Sequence, residues 1–383
     1  MFKKILFAAA FSFILASVAT AAVIDDVNKT IATVKSQVAP DRRQAVFDVR
    51  AVEIDNGGCQ IVGTVSDPAA RDALSKALDG KADVSGVALL PQNRWGQVRI
   101  PVACMRTRPG HDAEMATQAV MGMPLRVLGM VDDNWWVQTP DGYLGYMPSS
   151  SMVEKTPAEM EQWRAANRLV VTAWDQVNVY STPKPTSPRD IVTDLVNGSI
   201  VEGSLAGKAK MVEVTLPDGR KGWIDRANVT DIKTWAAQEF NAETILNMAY
   251  SLHGTPYLWG GTSAKALDCS GLAKVSYFAN GIILMRDASQ QAKTGEIMPP
   301  EAWRDLQPGD LMFFGNAETG RVTHVAIYDR DGNYIHSSGR VKVNSIDPQA
   351  EGYLTTPHLS SSRIKTRIGD SGITFARNHP WFF

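Results

Sequence analysis

Between Ile24 and Val38 the apolar residues Val27, Ile31, Val34 and Val38 recur every three or four positions, the period of one helix face, and Pro40 ends the run. The period then changes. Val46–Ile54 and Cys59–Val65 read as two strands joined by the turn-forming Asn56-Gly57-Gly58. A second helix runs from Ser66-Asp67-Pro68 to Leu78, with Asp67 suited to the N-cap, Pro68 to the first helical position and Gly80 to the stop. Val84–Leu90 reads as a third strand. Helix, hairpin, helix and strand make a small α/β domain over residues 24–100. It carries no catalytic constellation, so a structural or docking role is expected.

The next two segments repeat each other. T-Q-A-V-M-G (Thr117–Gly122) and T-P-D-G-Y-L-G-Y (Thr139–Tyr146) are echoed by T-D-L-V-N-G (Thr193–Gly198) and L-P-D-G-R-K-G-W (Leu216–Trp223). A period of about 75–80 residues is too long for a solenoid unit. Short alternating strands, a P-D-G turn and a glycine–aromatic pair in each copy resemble bacterial SH3-like domains. Two such β-barrels are expected, over 101–155 and 166–232, joined by a helix over Thr156–Asn167 with Pro157 and Glu159 in its first turn.

A further helix opens at Asn241, a suitable N-cap, and turns Ile245, Met248, Ala249 and Leu252 to one side. Tyr257–Gly271, Y-L-W-G-G-T-S-A-K-A-L-D-C-S-G, reads as a glycine-broken loop running into an apolar helix over Leu272–Phe278. Leu311–Phe314, Thr323–Tyr328 and Tyr334–Ser338 read as strands, the last two joined by a tight turn at Arg330-Asp331-Gly332. Helices packed on an antiparallel sheet are therefore expected over 238–383, with Trp381-Phe382-Phe383 docked on the core. The whole chain reads as multidomain α+β.

Composition narrows the function. With 383 residues, two to four domains are natural, and 44% hydrophobic content supplies real cores. Lys plus Arg number 39 and Asp plus Glu 40, a net charge of -1 with no long charge run, which argues against nucleic-acid binding and a polybasic membrane anchor. Met1-Phe2-Lys3-Lys4, an apolar run over Ile5–Val18 and Ala19-Thr20-Ala21 read as a secretory signal peptide over 1–21, shorter than the roughly 20 apolar residues of a membrane span. A soluble, monomeric, periplasmic or secreted protein is expected. Of Cys59, Cys104 and Cys269, the first two are free to pair in an oxidising compartment or to stay as structural thiols.

Cys269 stands in the first turn of its helix, where backbone N–H groups and the positive dipole end favour thiolate. A reactive thiol needs a base. Of six histidines, His111, His253, His358 and His379 read as structural. His324 and His336 lie on strands joined by one short turn and fall opposite each other or close to it. Such a pair suits either a metal site, which needs a third ligand, or a base and its orienting group beside a thiol. Spacing leaves Cys269 open as that third ligand, but no other metal motif is present.

Six blocks, Y-L-W-G-G-T-S, L-D-C-S-G-L, R-D-A-S-Q-Q, P-G-D-L-M-F-F, T-H-V-A-I-Y and Y-I-H-S-S-G, occur in that order between 241 and 343 and resemble the NlpC-type peptidoglycan cysteine peptidases. The resemblance implies a papain-like fold with Cys269 as nucleophile, His324 as base and His336 as orienting residue, and no metal or cofactor. Together with the signal peptide and the SH3-like pair, it extends to the γ-D-glutamyl-L-diamino acid endopeptidases of dipeptidyl-peptidase VI type, which trim cell-wall peptides. The implied substrate is a murein peptide, L-Ala-γ-D-Glu-diamino acid, with a free amine met by Glu114 and Tyr143. Tyr257, Trp259, Ser270, Asp287 and Ser289 match pocket-lining positions, although Trp259 suits a core equally and Glu114 a solvated loop. Tyr257 is also a candidate oxyanion partner beside the Cys269 N–H. Asp268 is assigned to helix capping or substrate contact. Ala288 departs from the pattern where a hydroxyl is expected. Two other classes fit less well: a non-catalytic wall-binding protein, and an acyltransferase or amidase on the same framework.

Overall fold

The computed structural model describes residues 23–54 and 58–383, so the signal-peptide reading and most of the Asn56-Gly57-Gly58 turn lie outside the described residues. The chain divides into two compact units, 1–92 and 93–383.

In the first unit, helix α1 (23–38) is followed by β1 (Phe47–Ile54), β2 (Gly58–Val65), α2 (Pro68–Ala77) and β3 (Val87–Leu89). β1 and β2 pair antiparallel from Phe47↔Val65 to Ile54↔Gly58, and β3 joins β2 in parallel. A parallel neighbour needs a crossover, which α2 supplies. Asp67 caps α2 by accepting from the Ala69 N–H at 2.8 Å. β3 starts later than its apolar run because Asp83 accepts from the Ser85 N–H at 2.8 Å and holds a turn there. Val27, Ile31 and Val34 of α1 pack on Cys59, Ile61, Val65, Leu74 and Val87.

The second unit begins earlier than its sequence boundary. Trp95–Val98, expected within the α/β domain, is β4 and pairs with two later strands. The run is too short and polar to announce a strand, and pairing on both edges makes it one. With β5 (Val102–Arg106), β6 (Met115–Val120), β7 (Pro124–Val131), β8 (Asn134–Gln138), β9 (Leu144–Pro148) and β10 (Met152–Lys155), it forms a sheet of order β10-β4-β7-β8-β9-β5-β6. Helix α3 (Pro157–Ala165) follows, its start fixed by a reciprocal Thr156–Glu159 capping box. The next sheet comprises β11 (Arg168–Val171), β12 (Val177–Tyr180), β13 (Ile191–Leu195), β14 (Ile200–Gly203), β15 (Met211–Thr215), β16 (Lys221–Asp225) and β17 (Val229–Asp231). Its order, β13-β12-β16-β15-β14-β11-β17, is that of the first sheet read from the opposite end. The repeated motifs thus correspond to a repeated topology.

The two β-domains meet at Gly122. Ile200 N–H donates to Met121 O at 2.9 Å, and the Met121 side chain sits in the core of the second domain. Gly122 has φ 79°, and a Cβ there would stand 1.8 Å from the Ile200 carbonyl oxygen.

The remainder holds α4 (Ile232–Ala236), α5 (Ala242–Ser251), β18 (Thr262–Ser263), β19 (Ala266–Leu267), α6 (Cys269–Ala279), β20 (Ile282–Leu284), α7 (Ala288–Gln291), β21 (Glu296–Met298), β22 (Leu311–Asn316), β23 (Arg321–Tyr328), β24 (Asn333–Ser338), β25 (Arg340–Ser345), β26 (His358–Arg363) and β27 (Ile373–Phe375). Its main sheet is antiparallel, in the order β21-β26-β22-β23-β24-β25. Alternate residues Leu311, Phe313, Val325, Ile327 and Ile335 pack against Ile245, Met248, Leu272 and Val275 of α5 and α6. Of the C-terminal aromatics, Phe382 is fully buried with Trp163, Trp235 and Ile283 and Trp381 meets Trp95 edge-on at 5.2 Å, whereas Phe383 is exposed. Among the described residues no helix is long and apolar enough to cross a membrane.

Gly122→Ala combines a left-handed backbone with a steric clash, and together these cost about 2–5 kcal/mol. Urea unfolding should show a loss of that size, and an unchanged midpoint would contradict the close approach.

Candidate active site

Helix α6 begins at Cys269 because Asp268 caps it, accepting from the Gly271 N–H at 2.7 Å. Gly271 is required there: a Cβ would lie 1.9 Å from the Gly261 carbonyl oxygen, so only glycine lets the first helical turn lie against the preceding loop. That loop is tied back by the Gly260 N–H, which donates to Asp268 Oδ2 at 3.0 Å. Arg286 completes the anchor. Its Nη2 reaches Asp268 Oδ2 at 2.5 Å, and its Nη1 reaches Asp268 Oδ1 at 3.1 Å and Ser270 Oγ at 2.9 Å. Arg286 is 1% exposed and Asp268 6%. Burial alone would lower the guanidinium pKa, but the Asp268 carboxylate holds it above its ordinary value. Asp268, expected to cap the helix or to contact substrate, does cap it, and it and Ser270 are both buried and bonded to Arg286, because a buried carboxylate requires a partner.

Cys269 is 8% exposed. Burial, reinforced by the Asp268 charge, pushes its thiol up to about 11, against the opposing pull of the Val325 and Ser270 N–H groups and Arg286. Desolvation here opposes the helix N-terminus, which favours thiolate. The Val325 N–H bond also sets the sulfur against the strand of His324.

The turn at the end of β23 decides the histidine geometry. Asp331 and Gly332 both have positive φ, 53° and 78°. Asp329 N–H donates to Asn333 O at 2.9 Å while Asn333 N–H donates to Arg330 O at 2.8 Å, so two residues share one partner. The ladder then pairs Tyr328 with Tyr334 and Ile327 with Ile335. Continued, that register sets His336 opposite Ala326 and His324 diagonal to it on the same face. A turn without the extra residue would put the two histidines on opposite faces. As it is, His324 Nε2 and His336 Nδ1 lie 2.7 Å apart, and His336 Nε2 lies 2.8 Å from Asn344 Oδ1. Burial pushes His324 down to about 3, helped by His336 and Lys342. Burial likewise takes His336 down to about 4, although Asn344 holds it up.

The first β-domain forms a wall beside this site. Trp259 Nε1 donates to Glu114 Oε1 at 2.8 Å, and Tyr143 Oη donates to Asp287 Oδ2 at 3.1 Å. Trp259 is 61% exposed, which removes the core reading. Lys274 of α6 pairs with Asp141 of the P-D-G turn at 2.5 Å, and Gln118 Oε1 accepts from Thr262 N–H and Ser263 Oγ, both at 2.9 Å. Tyr257 is half-buried, and burial, with Cys269 and Asp268 nearby, pushes its hydroxyl up to about 12. Ser289 sits half-buried on α7. Ala288 packs into the apolar core, so the hydroxyl it lacks would have been buried there. Among the described residues no group of three or more His, Cys, Asp or Glu could hold a metal. Cys59 and Cys104 are free thiols.

Residues 254–363 match the NlpC/P60 family and residues 105–152 the bacterial dipeptidyl-peptidase Sh3 domain. Over 201 residues the chain is 37% identical to a protein of Corynebacterium glutamicum named a probable endopeptidase, spanning 49% of this chain and 90% of that one. The chain belongs to the NlpC/P60 family. It is accordingly a cysteine peptidase. The γ-D-glutamyl-L-lysine dipeptidyl-peptidase of Bacillus cereus is 29% identical over 259 residues, 63% of this chain and 73% of that protein. The crystal structure of an NlpC/P60 family protein from Bacillus cereus shares the fold, with a TM-score of 0.60 at 23% identity over 70% of this chain and 99% of that one.

Within the NlpC/P60 domain the structure gathers Cys269, His324, His336, Tyr257, Asp268 and Ser270 around one helix end and one strand pair. Two contributors escaped the sequence reading. Arg286 begins the R-D-A-S-Q-Q block, and the need of a buried capping carboxylate for a cation was its signal. Asn344 lies two residues beyond Lys342, which pairs with His336, so period-two alternation carries it to the histidine face. Of the remaining histidines, His358 contacts Ser361 Oγ and His379 the Pro140 carbonyl, while His111 and His253 are exposed.

Arg286→Met would strand Asp268 as an unpaired buried charge, a loss of about 3–5 kcal/mol. Urea denaturation measures it, and a stability within 1 kcal/mol of the wild type, about the worth of a surface pair, would refute the pairing. The histidines set an acid limit. Their folded pKa values, about 3 and 4, lie below the ordinary 6.5, so below pH 6.5 the unfolded chain binds more protons. Their contribution to stability is complete above pH 6.5 and shrinks as the pH falls towards 4. His336→Asn should flatten that part of the stability–pH curve, and an identical slope in wild type and variant would refute it.

Proposed function

We propose that the protein is an exported cysteine endopeptidase that cleaves the γ-D-Glu–L-diamino acid bond of murein peptides bearing a free N-terminal L-Ala. The observation that supports this reading is the bond between Glu114 of the first β-domain and Trp259, which stands in the glycine-broken loop leading to Cys269, so that Glu114 is taken as the acidic group that meets the substrate amine. A substrate ammonium taken out of water needs such a carboxylate. The names of relatives that act on γ-D-glutamyl-L-lysine support the same bond. Tyr143 and Asp287, already hydrogen-bonded, continue the polar edge, with Tyr257, Trp259 and Ser289 as further lining.

The Cys269 sulfur attacks the γ-carbonyl carbon of D-Glu and its proton passes to His324, which starts neutral as burial requires. The carbonyl oxygen gains charge against the Cys269 N–H and the Tyr257 hydroxyl, which stays protonated at neutral pH. His324, now imidazolium and held by His336, returns the proton to the amine of the diamino acid as the C–N bond breaks. Water, deprotonated by His324, then releases L-Ala-D-Glu from the thioester. Asp268 holds the start of α6, and Ser270 Oγ donates to it. Export rests on the signal-peptide reading of residues 1–21, and the protein acts as a monomer without metal or cofactor.

The test is cleavage of L-Ala-γ-D-Glu-L-lysine and of its diaminopimelate counterpart, each with a free or acetylated amine. Cleavage of the free forms alone is expected, with none by Cys269→Ala. Glu114→Gln should lower kcat/KM by roughly 30- to 100-fold, about 2–3 kcal/mol of charge pairing. Equal cleavage of acetylated peptides would remove the amine site. Binding to cell wall without cleavage, or transfer of the acyl group to an added amine, would instead favour the non-catalytic or acyltransferase readings.

A further inference from the structure

The hydrogen bonds behind the two histidines continue past His336. Asn344 Nδ2 donates to the Gly352 carbonyl at 2.9 Å, and that carbonyl also accepts from the Ser345 N–H at 2.9 Å. A carbonyl oxygen accepts and cannot donate, so the amide NH2 of Asn344 must face Gly352 and its oxygen must face His336. Facing an acceptor at 2.8 Å, His336 Nε2 carries the hydrogen. In a neutral imidazole the other nitrogen then bears a lone pair. His336 Nδ1 is therefore the acceptor across the 2.7 Å contact, and His324 Nε2 is the donor. By the same rule His324 Nδ1 is bare. That is the nitrogen left for the thiol, and only a bare nitrogen can take a proton from it.

We propose that Asn344, anchored on the Gly352 carbonyl, is a positioning residue that sets the tautomers of both histidines so that His324 presents its basic Nδ1 to Cys269. The inference rests on the assignment of Cys269, His324 and His336 as the reacting set. Position supports it. Lys342 pairs directly with His336, and Asn344, opposite Tyr334, lies on the same face one step further along β25. The charged or titratable groups that bear on the pair are Lys342 and Asp268, and neither accepts a hydrogen bond from His336. Asn344 alone supplies the oxygen that selects the Nε2–H form.

Histidine ring nitrogens, read by long-range 1H–15N spectra of histidine-labelled protein, report the tautomers without any substrate. Wild type and Cys269→Ala should both show His324 and His336 as Nε2–H with bare Nδ1. Asn344→Ala should give mixed tautomers and lower kcat roughly 10- to 100-fold with KM within about threefold. Asn344→Asp keeps an acceptor for His336 and adds a charge that favours imidazolium, so it should recover much of kcat while moving the acidic limb of kcat/KM to higher pH. Wild-type His324 protonated on Nδ1, or Asn344→Ala with unaltered tautomers and full kcat, would overturn the proposal. If Asn344→Ala fails to fold, the wild-type spectrum alone still decides. Activity surviving in Cys269→Ala would sink the reacting set, which is a different result from wild-type tautomers that disagree.

Discussion

The buried pair between Asp268 and Arg286 is the constraint on which the site depends. One carboxylate caps α6, holds the Gly260 N–H of the preceding loop and accepts from Ser270 and both terminal nitrogens of Arg286. It fixes where the helix starts, and hence where the sulfur of Cys269 stands. A carboxylate this deep is tolerable only with its charge matched and its lone pairs filled. The guanidinium fork does both, and it also offsets the carboxylate's effect on the thiol next to it.

The same helix organises the larger assembly of residues 93–383. Its first turn carries Cys269, and its second turn carries Lys274, which meets Asp141 in the P-D-G turn of the first β-domain. The wall bearing Glu114 and Tyr143 is therefore attached to the element that bears the sulfur. Gln118 on Thr262 and Ser263 adds polar contacts between the two domains, and the C-terminal aromatics pack against Trp95 and α3 from the other side. The position of that wall relative to the thiol is set by side chains already paired.

Burial favours the uncharged forms of Cys269, His324 and His336 together, driving the thiol up and both imidazoles down. Directional hydrogen bonds then decide where the protons sit. The relevant order runs from a backbone carbonyl through an amide and two imidazoles, each fixed by whether its neighbour can donate.

Much of this could be read from spacing. Caps at Asp67 and Asn241, the repeated P-D-G segments, the cysteine at a helix start and two histidines around one turn are local patterns, set by backbone geometry within a few residues. Other features could not. Trp95–Val98 is a strand only because two distant strands pair with it. The histidines share a face only because the turn before Asn333 holds one extra residue. Arg286 and Asn344 acquire their roles from what lies opposite them. The residue types and their order determined by themselves that a thiol and two imidazoles would be available on a helix and a hairpin. Tertiary structure alone decided their ionisation, their register and the charge that steadies them, because desolvation, pairing and strand register act between groups far apart in the chain.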